Sequence, residues 1–167
     1  MTESSWTIAP KTLANVDGAI AVLAEAAAEG SRIATEWPFD ATVRARMLRG
    51  ALLSGNVEGW VAYDDGNVVA DFTIFNPAES EPLFGMVVAR SHRRRGIGRA
   101  LIEAAIAWAR AHGKTALRLR VFPDNEPARA LYRETGFVDV ALQTGAVTRA
   151  DGSTLDAILM RRALTKP

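Results

Sequence analysis

The spacing of hydrophobic and polar residues along the chain predicts a mixed α/β protein. A helical period is expected over residues 13–29, 40–52, 96–113 and 125–136, each stretch closed by a capping residue or a glycine. Alternating or continuous apolar runs typical of strands cover residues 6–10, 60–63, 68–74, 83–88 and 117–121, and two more strands are expected between positions 137 and 164. The second helix is expected to turn Val43, Met47, Leu48 and Leu52 inward.

The order of these segments also predicts part of the topology. Residues 64–67, Asp-Asp-Gly-Asn, suit a tight reversal between two strands. The nearly continuous apolar run 83–88 is typical of a central strand covered on both faces. A helix separates it from the strand at 117–121, so the two strands should be parallel. Without a repeat or linker, we expect a single domain over residues 1–167.

Composition excludes several classes of function. The chain has 20 Lys and Arg against 19 Asp and Glu, a net charge of +1, so no overall positive field favours nucleic acid or an anionic membrane. It has no cysteine, which excludes thiolate chemistry, and its two histidines cannot form a multi-histidine metal site. Residues 1–6 lack the pattern of a secretory leader, and no apolar run could span a bilayer. We therefore expect a cytoplasmic protein without a metal.

One turn has the composition of an anion site. Arg93, Arg94 and Arg95 precede Gly96 and Gly98 at the start of the third helix, directly after the central strand. A helix N-terminus offers unpaired N–H groups and a positive dipole end to an anion, and glycine allows close approach of the backbone. A Walker loop is excluded because Arg99 follows Gly98, and a dinucleotide fingerprint is disfavoured by Leu101. A surface arginine cluster that merely caps a helix remains an alternative at this point.

Two motifs resemble those of the GNAT family of N-acetyltransferases. Residues 86–101 resemble its acetyl-CoA motif, Arg/Gln-x-x-Gly-x-Gly/Ala, with Arg93, Gly96 and Gly98 in the defining positions, although Arg90 replaces a usual proline. Residues 125–137 resemble its later motif, Asn-x-x-Ala-x-x-Leu-Tyr-x-x-x-Gly-Phe. The first eighty residues match in pattern only, and Thr35-Glu36 is similar to a pair in phosphinothricin-type acetyltransferases.

The resemblance implies a single-domain fold with a mostly antiparallel central sheet, in which two parallel strands splay apart to admit the pantetheine of acetyl-CoA. It implies that the pantetheine and the acetyl carbonyl are bound by backbone groups of Val87, Val88 and Ala89. The pyrophosphate would lie on the loop of Arg93, Arg94, Arg95, Gly96, Ile97, Gly98 and Arg99. Asn125 would bond the pantetheine, and Tyr132 would protonate the departing thiolate. The alternatives for these two residues are a helix cap and a core aromatic.

The sequence says less about the amine that accepts the acetyl group and about the base that removes the proton from this amine. The amine must lose a proton before it attacks, and the first candidate for the base is Glu36, with Asp71 and Glu81 as alternatives. The expected acceptor is a primary amine of a small molecule, such as an amino acid, a metabolite or a xenobiotic. The sequence leaves two alternative functions: acetylation of protein N-termini, and a non-catalytic regulatory module that binds acyl-CoA. Members of the family commonly dimerise, so a homodimer is compatible with this assignment, although no interface is evident in the sequence.

Overall fold

The computed structural model describes residues 5–30 and 32–164, which form seven strands and four helices. The strands are β1 (Trp6–Pro10), β2 (Val57–Asp64), β3 (Asn67–Phe75), β4 (Leu83–Val88), β5 (Ala116–Val121), β6 (Val138–Thr148) and β7 (Thr154–Ala163). The helices are α1 (Val16–Ala28), α2 (Ala41–Leu53), α3 (Ile97–Ala111) and α4 (Glu126–Glu134). Residues 1–4, which bear on a leader segment, lie outside the described range.

All seven strands belong to one sheet with the order β1-β2-β3-β4-β5-β7-β6. Each neighbouring pair is antiparallel except β4 and β5, which are parallel and connected by α3. The β2–β3 hairpin turns at Asp65 and Gly66, which both have positive φ, 47° and 76°, as a type I′ reversal requires. The predicted fold class, a mostly antiparallel α/β sheet with one parallel pair, is confirmed.

The parallel pair separates soon after it begins. Only Leu83 and Phe84 of β4 are in register with Arg118 and Leu119 of β5, although both strands continue beyond these residues. The expected splayed pair is therefore present. The remainder of β4, residues 86–88, is half-buried rather than covered on both faces as the sequence suggested, because β5 no longer lies beside it.

The two faces of the sheet carry different helices. α3 buries Ile97 and Leu101 against the side of the sheet that presents Phe72 and Phe84, whose rings stack with centroids 4.6 Å apart. α1 packs on the same strands β3 and β4 without lying beside α3, so it lies on the opposite face. There Val16 and Ile20 form an apolar cluster with Ala45 of α2. No helix within the described residues is long and apolar enough to cross a bilayer.

The predicted inner face of α2 is confirmed in part: Leu48 and Leu52 pack against the cluster shared with α1, whereas the other two residues do not. Val43 and Met47 are 39% and 62% exposed, whereas the small Ala45 is buried in the contact with α1, with Leu48 packed beside it. The helix itself begins as predicted, since the Asp40 carboxylate accepts a hydrogen bond from the Val43 N–H at 3.0 Å. Two helices approach each other closely where a side chain is small. The spacing of large apolar residues therefore does not predict that the face of α2 with Ala45 contacts α1.

Gly59 of β2 is a position where a side chain has no room. A Cβ built there would overlap the carbonyl oxygen of Phe72 on β3. We expect Gly59→Ala to lower the free energy of unfolding by roughly 1–3 kcal/mol, the usual cost of overpacking, as measured by urea denaturation.

The matched control is Gly50→Ala within α2, where no atom lies within 4 Å of an added Cβ. Alanine is the better helix former, so this variant should gain roughly 0.5–1 kcal/mol. Equal stability of the two variants would contradict the tight β2–β3 approach.

Candidate active site

The start of α3 presents a row of unpaired backbone donors. The first helical hydrogen bond runs from the Ala100 N–H to the Gly96 carbonyl at 3.1 Å, so the N–H groups of Ile97, Gly98 and Arg99 precede it. No side chain caps this end of the helix. Arg94 and Gly96 have positive φ, 62° and 85°, a sequence of turns that makes successive N–H groups converge on one side. The predicted anion cradle is thus a donor-rich concavity at a positive dipole end.

Gly98 brings this helix end close to the rest of the site. A Cβ at position 98 would lie 3.1 Å from a methyl of Leu131 on α4 and 3.3 Å from the terminal methyl of Met86 on β4. The absence of a side chain therefore allows α3 to approach both elements at once. A diphosphate has the charge and shape for such a cradle, and a substituent at Gly98 would crowd Leu131 and Met86 beside it.

The side chain of Arg93 is turned away from this cradle. Its guanidinium makes two hydrogen bonds to the Glu29 carboxylate, at 2.6 and 2.8 Å, and its Nε donates to the Val88 carbonyl at 3.0 Å. The same contacts hold the pKa of Glu29 below its usual range. Arg93 was expected among the phosphate-binding residues, and the structure gives its side chain a different task, which is to fix the loop to α1 and β4.

Arg95 is engaged in the same manner on the other side of the loop. It donates to the Asp64 carboxylate and to the Ser5 hydroxyl, both at 3.0 Å, and His92 Nε2 lies 3.1 Å from the same Asp64 oxygen. Hydrogen bonds from Ser5, Arg95 and His92 keep the pKa of Asp64 below its usual range. Asp64 is thus an ionised anchor at the end of β2.

The remaining arginines differ from each other. Arg99 forms an ion pair with Glu134 at 2.6 Å on the exposed side of α3. Arg94 forms no ion pair with any carboxylate in residues 5–30 and 32–164, and its side chain is exposed. Of the four predicted arginines, Arg94 alone offers a charge without an ion-pair partner among the described residues. Arg95 and Arg99 precede the first helical hydrogen bond and contribute backbone N–H groups, whereas the Arg93 N–H is directed to the Arg90 carbonyl.

Sequence reasoning missed the carboxylates that organise this loop. Glu25 accepts a hydrogen bond from the Arg90 N–H at 2.9 Å, and together with Glu29 and Asp64 it holds the loop from two elements. These residues are far from the loop in sequence and belong to no motif. The net charge of +1 was the one sign of these carboxylates in the sequence. It shows that acidic residues elsewhere in the chain balance the charge of the arginine cluster.

The directions of the β4 backbone N–H and C=O groups determine which residues of the predicted pantetheine site can bind a ligand. The Ala89 N–H donates to the Val69 carbonyl of β3 at 2.8 Å, and by the alternation of an antiparallel pair Val87 also directs its N–H and C=O to β3. Met86 directs both groups to the opening between β4 and β5. Val88 directs its N–H there, while its C=O accepts the hydrogen bond from Arg93 Nε at 3.0 Å. The expected roles of the Val87 and Ala89 backbone are therefore corrected, and Met86 joins Val88 as a residue with groups facing the opening.

Tyr132 lies beside this opening. It packs edge-on against Phe84, the last β4 residue in register with β5, and against Phe137, with ring centroids 6.0 and 6.1 Å apart. Burial raises the pKa of Tyr132 to about 12. The phenol therefore stays protonated at neutral pH and is available as a proton donor.

Asn125 caps the helix that carries Tyr132. Its Oδ1 accepts from the Ala128 N–H at 3.4 Å, and its Nδ2 donates to the Arg32 carbonyl at 3.5 Å. The predicted cap is present, and both contacts are long, so the amide is weakly held. The second contact also brings residues 32–39 towards the end of the sheet.

Glu36 is attached to the far hairpin. Its carboxylate is exposed and accepts a hydrogen bond from the Ala150 N–H at 2.9 Å, while Arg149 donates to the carbonyls of Ala34 and Ile33 at 3.0 and 3.1 Å. Residues 32–39 thus form a strap tied to the turn between β6 and β7. The alternative bases also have partners: Lys11 lies 2.8 Å from Asp71, and the two Arg161–Glu81 hydrogen bonds measure 2.6 and 3.1 Å.

Two proteins share part of this sequence. The mycothiol acetyltransferase of Beutenbergia cavernae is 35% identical over 86 residues, which is 50% of this chain and 29% of that protein. The ribosomal protein bS18-alanine N-acetyltransferase of Escherichia coli is 36% identical over 78 residues, 47% of this chain and 52% of that protein. The matches therefore span about half of these relatives' length or less.

A solved structure shares the fold over nearly the whole chain. The phosphinothricin acetyltransferase of Sinorhizobium meliloti, determined in complex with acetyl-CoA, superposes with a TM-score of 0.80 at 22% identity, covering 98% of this chain and 94% of that one. The model of the acetyltransferase (GNAT) family matches residues 24–137. Since that match spans more than half of the chain and includes both sequence motifs, the chain belongs to the acetyltransferase (GNAT) family.

Proposed function

We propose that this protein transfers the acetyl group of acetyl-CoA to the primary amine of a small molecule. The observation that carries the proposal is the separation of β4 from β5 directly beside the unpaired N–H groups at the start of α3. A ligand that is anionic at one end and extended at the other matches this arrangement. Membership of the family and the fold shared with a structure determined with acetyl-CoA support the same ligand.

Different residues would bind different parts of acetyl-CoA. The N–H groups from Arg94 to Arg99 would hold the pyrophosphate. Both backbone groups of Met86 and the N–H of Val88 would pair with the pantetheine as a neighbouring strand does. Asn125 would exchange its two long contacts for hydrogen bonds to the same arm. Arg93 and Arg95 serve this site indirectly, since they hold the loop in its shape.

Tyr132 would act in the transfer itself. When bound, acetyl-CoA supplies an acetyl group activated as a thioester, which an unprotonated amine attacks directly. The Tyr132 hydroxyl would donate its proton towards the sulfur as the bond to the acetyl carbon breaks. A phenol whose pKa is about 12 is fully protonated when this donation is needed.

The strap over the end of the sheet favours a small acceptor. Residues 32–39 are tied to the β6–β7 turn through Arg149 and Glu36, and to the start of α4 through Asn125. Such bonds enclose one end of the site, where a long peptide would need an open groove. The match with an enzyme named for the alanine of a ribosomal protein favours a second candidate, acetylation of a protein N-terminus.

A panel of acceptors distinguishes these functions. The purified protein is incubated with acetyl-CoA and phosphinothricin, spermidine, free amino acids or peptides that begin with alanine, and released thiol and acetylated product are both measured. Turnover of one of the small amines supports the proposal, whereas turnover of the peptides alone establishes the second candidate. Calorimetric binding of coenzyme A without transfer to any amine would identify a non-catalytic module instead.

The loop assignment predicts a selective loss of cofactor binding. Gly98→Asp places a side chain and a negative charge among the N–H groups at the start of α3, so we expect affinity for coenzyme A to fall at least tenfold in calorimetry. Gly50→Asp, in an open position on α2, introduces the same side chain and should leave the affinity unchanged. Circular dichroism verifies that both variants are folded, and equal affinities would contradict the loop assignment.

The donor role of Tyr132 predicts a loss of turnover without a loss of binding. Tyr132→Phe preserves the ring contacts with Phe84 and Phe137 but removes the proton, so kcat should fall roughly 100-fold. The Kd for coenzyme A should stay within about twofold of the wild-type value. An unchanged kcat would show that the phenol only fills the core.

A further inference from the structure

One residue of β5 is exposed although this strand lies inside the sheet. β5 has β4 on one side and β7 on the other, and each of its residues except Arg120 is buried or half-buried. Leu117, Leu119 and Val121 belong to the core that contains α3, so by the alternation of a strand Arg120 projects from the opposite face. The exposure of Arg120 shows that this face of the sheet is open to solvent at β5.

Arg120 lies at the point where β4 and β5 separate. The register between the two strands ends at Phe84 and Leu119, and Arg120 is the next residue of β5. The β4 residue at the same level is Gly85, which has no side chain. The nearest atom to a Cβ built on Gly85 would be the ring edge of Phe75 at 3.4 Å, and Phe75 is 46% exposed. On this face, the mouth of the opening is thus bordered by a guanidinium and an exposed aromatic ring.

Two helices cover the other face of the opening. A Cβ at Gly98 of α3 would lie 3.3 Å from the terminal methyl of Met86 and 3.1 Å from a methyl of Leu131 on α4. Tyr132 of α4 is also on that side, buried in the same core. A thioester held between the strands is therefore accessible to an amine from the face of Arg120.

The proposed cofactor would place its reactive end at the level of Arg120. Its diphosphate would lie at the start of α3, beyond the last residues of β4, and its arm would run back along β4 towards the residues where the two strands pair. The thioester is at the end of this arm that is remote from the diphosphate. It would therefore lie near Gly85, where the opening begins.

No carboxylate in residues 5–30 or 32–164 lies within ion-pair distance of Arg120. The acids of β3 and of the segment before β4 have other partners: Lys11 pairs with Asp71 at 2.8 Å, Arg118 with Glu79 at 3.4 Å, and Arg161 with Glu81 at 2.6 Å. A guanidinium carries a positive charge and a fork of N–H donors that matches a carboxylate. An unpaired guanidinium at an open mouth thus favours an acceptor with an anionic group.

Two other arginines near this end of the sheet have their donors occupied. Arg149 donates to the carbonyls of Ala34 and Ile33 at 3.0 and 3.1 Å. Arg118 is half-buried, and its Nε donates to the Glu81 carbonyl at 2.7 Å. The Arg120 guanidinium makes no hydrogen bond to any residue that the structure describes, so its donors remain for a ligand.

We propose, on the basis of the function inferred above, that Arg120 binds the carboxylate of the acceptor, and that the acceptor is therefore an amino acid. The carboxylate accepts hydrogen bonds from the guanidinium, the neighbouring amine is directed to the gap between Gly85 and Arg120, and Phe75 packs against the apolar part of the substrate. Arg120 is a specificity-determining residue, which touches the substrate and takes no proton. Its positive charge also disfavours the ammonium form of the acceptor and so favours the free amine that attacks.

The test compares each amino acid that the panel shows to be acetylated with its carboxamide, which has the same amine and nearly the same shape but no negative charge. For the wild type, kcat/KM should be at least tenfold higher for the acid, although the carboxamide has the less basic amine. In Arg120→Gln this preference should disappear through a KM for the acid that is at least tenfold higher. The KM for the carboxamide and the Kd for coenzyme A should stay unchanged.

Two further variants separate charge from packing. Arg120→Lys keeps the positive charge and should retain part of the preference for the acid. Arg120→Glu reverses the charge and should favour spermidine over the amino acid. The matched control is Arg110→Gln, which removes an exposed arginine from α3 on the other side of the sheet and should leave the preference at the wild-type value.

The possible outcomes distinguish this inference from the proposed function. Equal turnover of acid and carboxamide by the wild type would overturn the inference and leave acetyl transfer to a small amine intact. The inference also fails if folded Arg120→Gln keeps the preference, loses activity with both substrates equally, or binds coenzyme A more weakly. A wild type that acetylates no small amine would refute the proposed function itself, and the inference with it.

Discussion

The separation of β4 from β5 is the constraint on which the rest of this site depends. Backbone N–H and C=O groups in a sheet interior are normally paired, and the ladder between these strands ends after Phe84 and Leu119. Beyond that point Met86 directs polar groups into an opening between two strands of one sheet. Such an edge inside a sheet suits an extended ligand, which can pair with it as a strand would. Tyr132 packs against Phe84, where the opening begins.

The arginine-rich loop illustrates how charge and shape are separated in an anion site. Glu29 and Asp64 bind Arg93 and Arg95, so these arginines determine where the loop lies rather than what it binds. The ligand would instead meet backbone N–H groups and Arg94. Fixed dipoles need no rearrangement when an anion arrives, and that is the advantage of a loop held from both sides. A cluster of free arginines would repel itself and would have to be ordered on binding.

The sequence predicted local features well and long-range ones poorly. The turn at Asp65 and Gly66, the cap at Asp40 and the parallel strand pair follow from a few neighbouring residues or from the connection between elements. The partners of Arg93 do not, because Glu29 is 64 positions away and belongs to another element. The direction of the Ala89 N–H depends on strand register, which the hydrophobic pattern alone does not determine at a strand end.

The choice of the catalytic base also depends on long-range structure. The type of each candidate residue follows from the sequence, whereas only the structure shows the groups that surround it. In sequence, Glu36 and Asp71 are both candidate carboxylates, and the position of Glu36 in the loop between the first two helices favoured it over Asp71 within a strand. In the structure, Glu36 is exposed and its carboxylate accepts a hydrogen bond from the Ala150 N–H, which ties residues 32–39 to the β6–β7 turn. Asp71 instead forms an ion pair with buried Lys11, whose Nζ lies 2.8 Å from its carboxylate. Only the assembled sheet brings these two residues together, because Lys11 follows β1 and is held beside β2 by the hydrogen bond from its N–H to the Gly59 carbonyl.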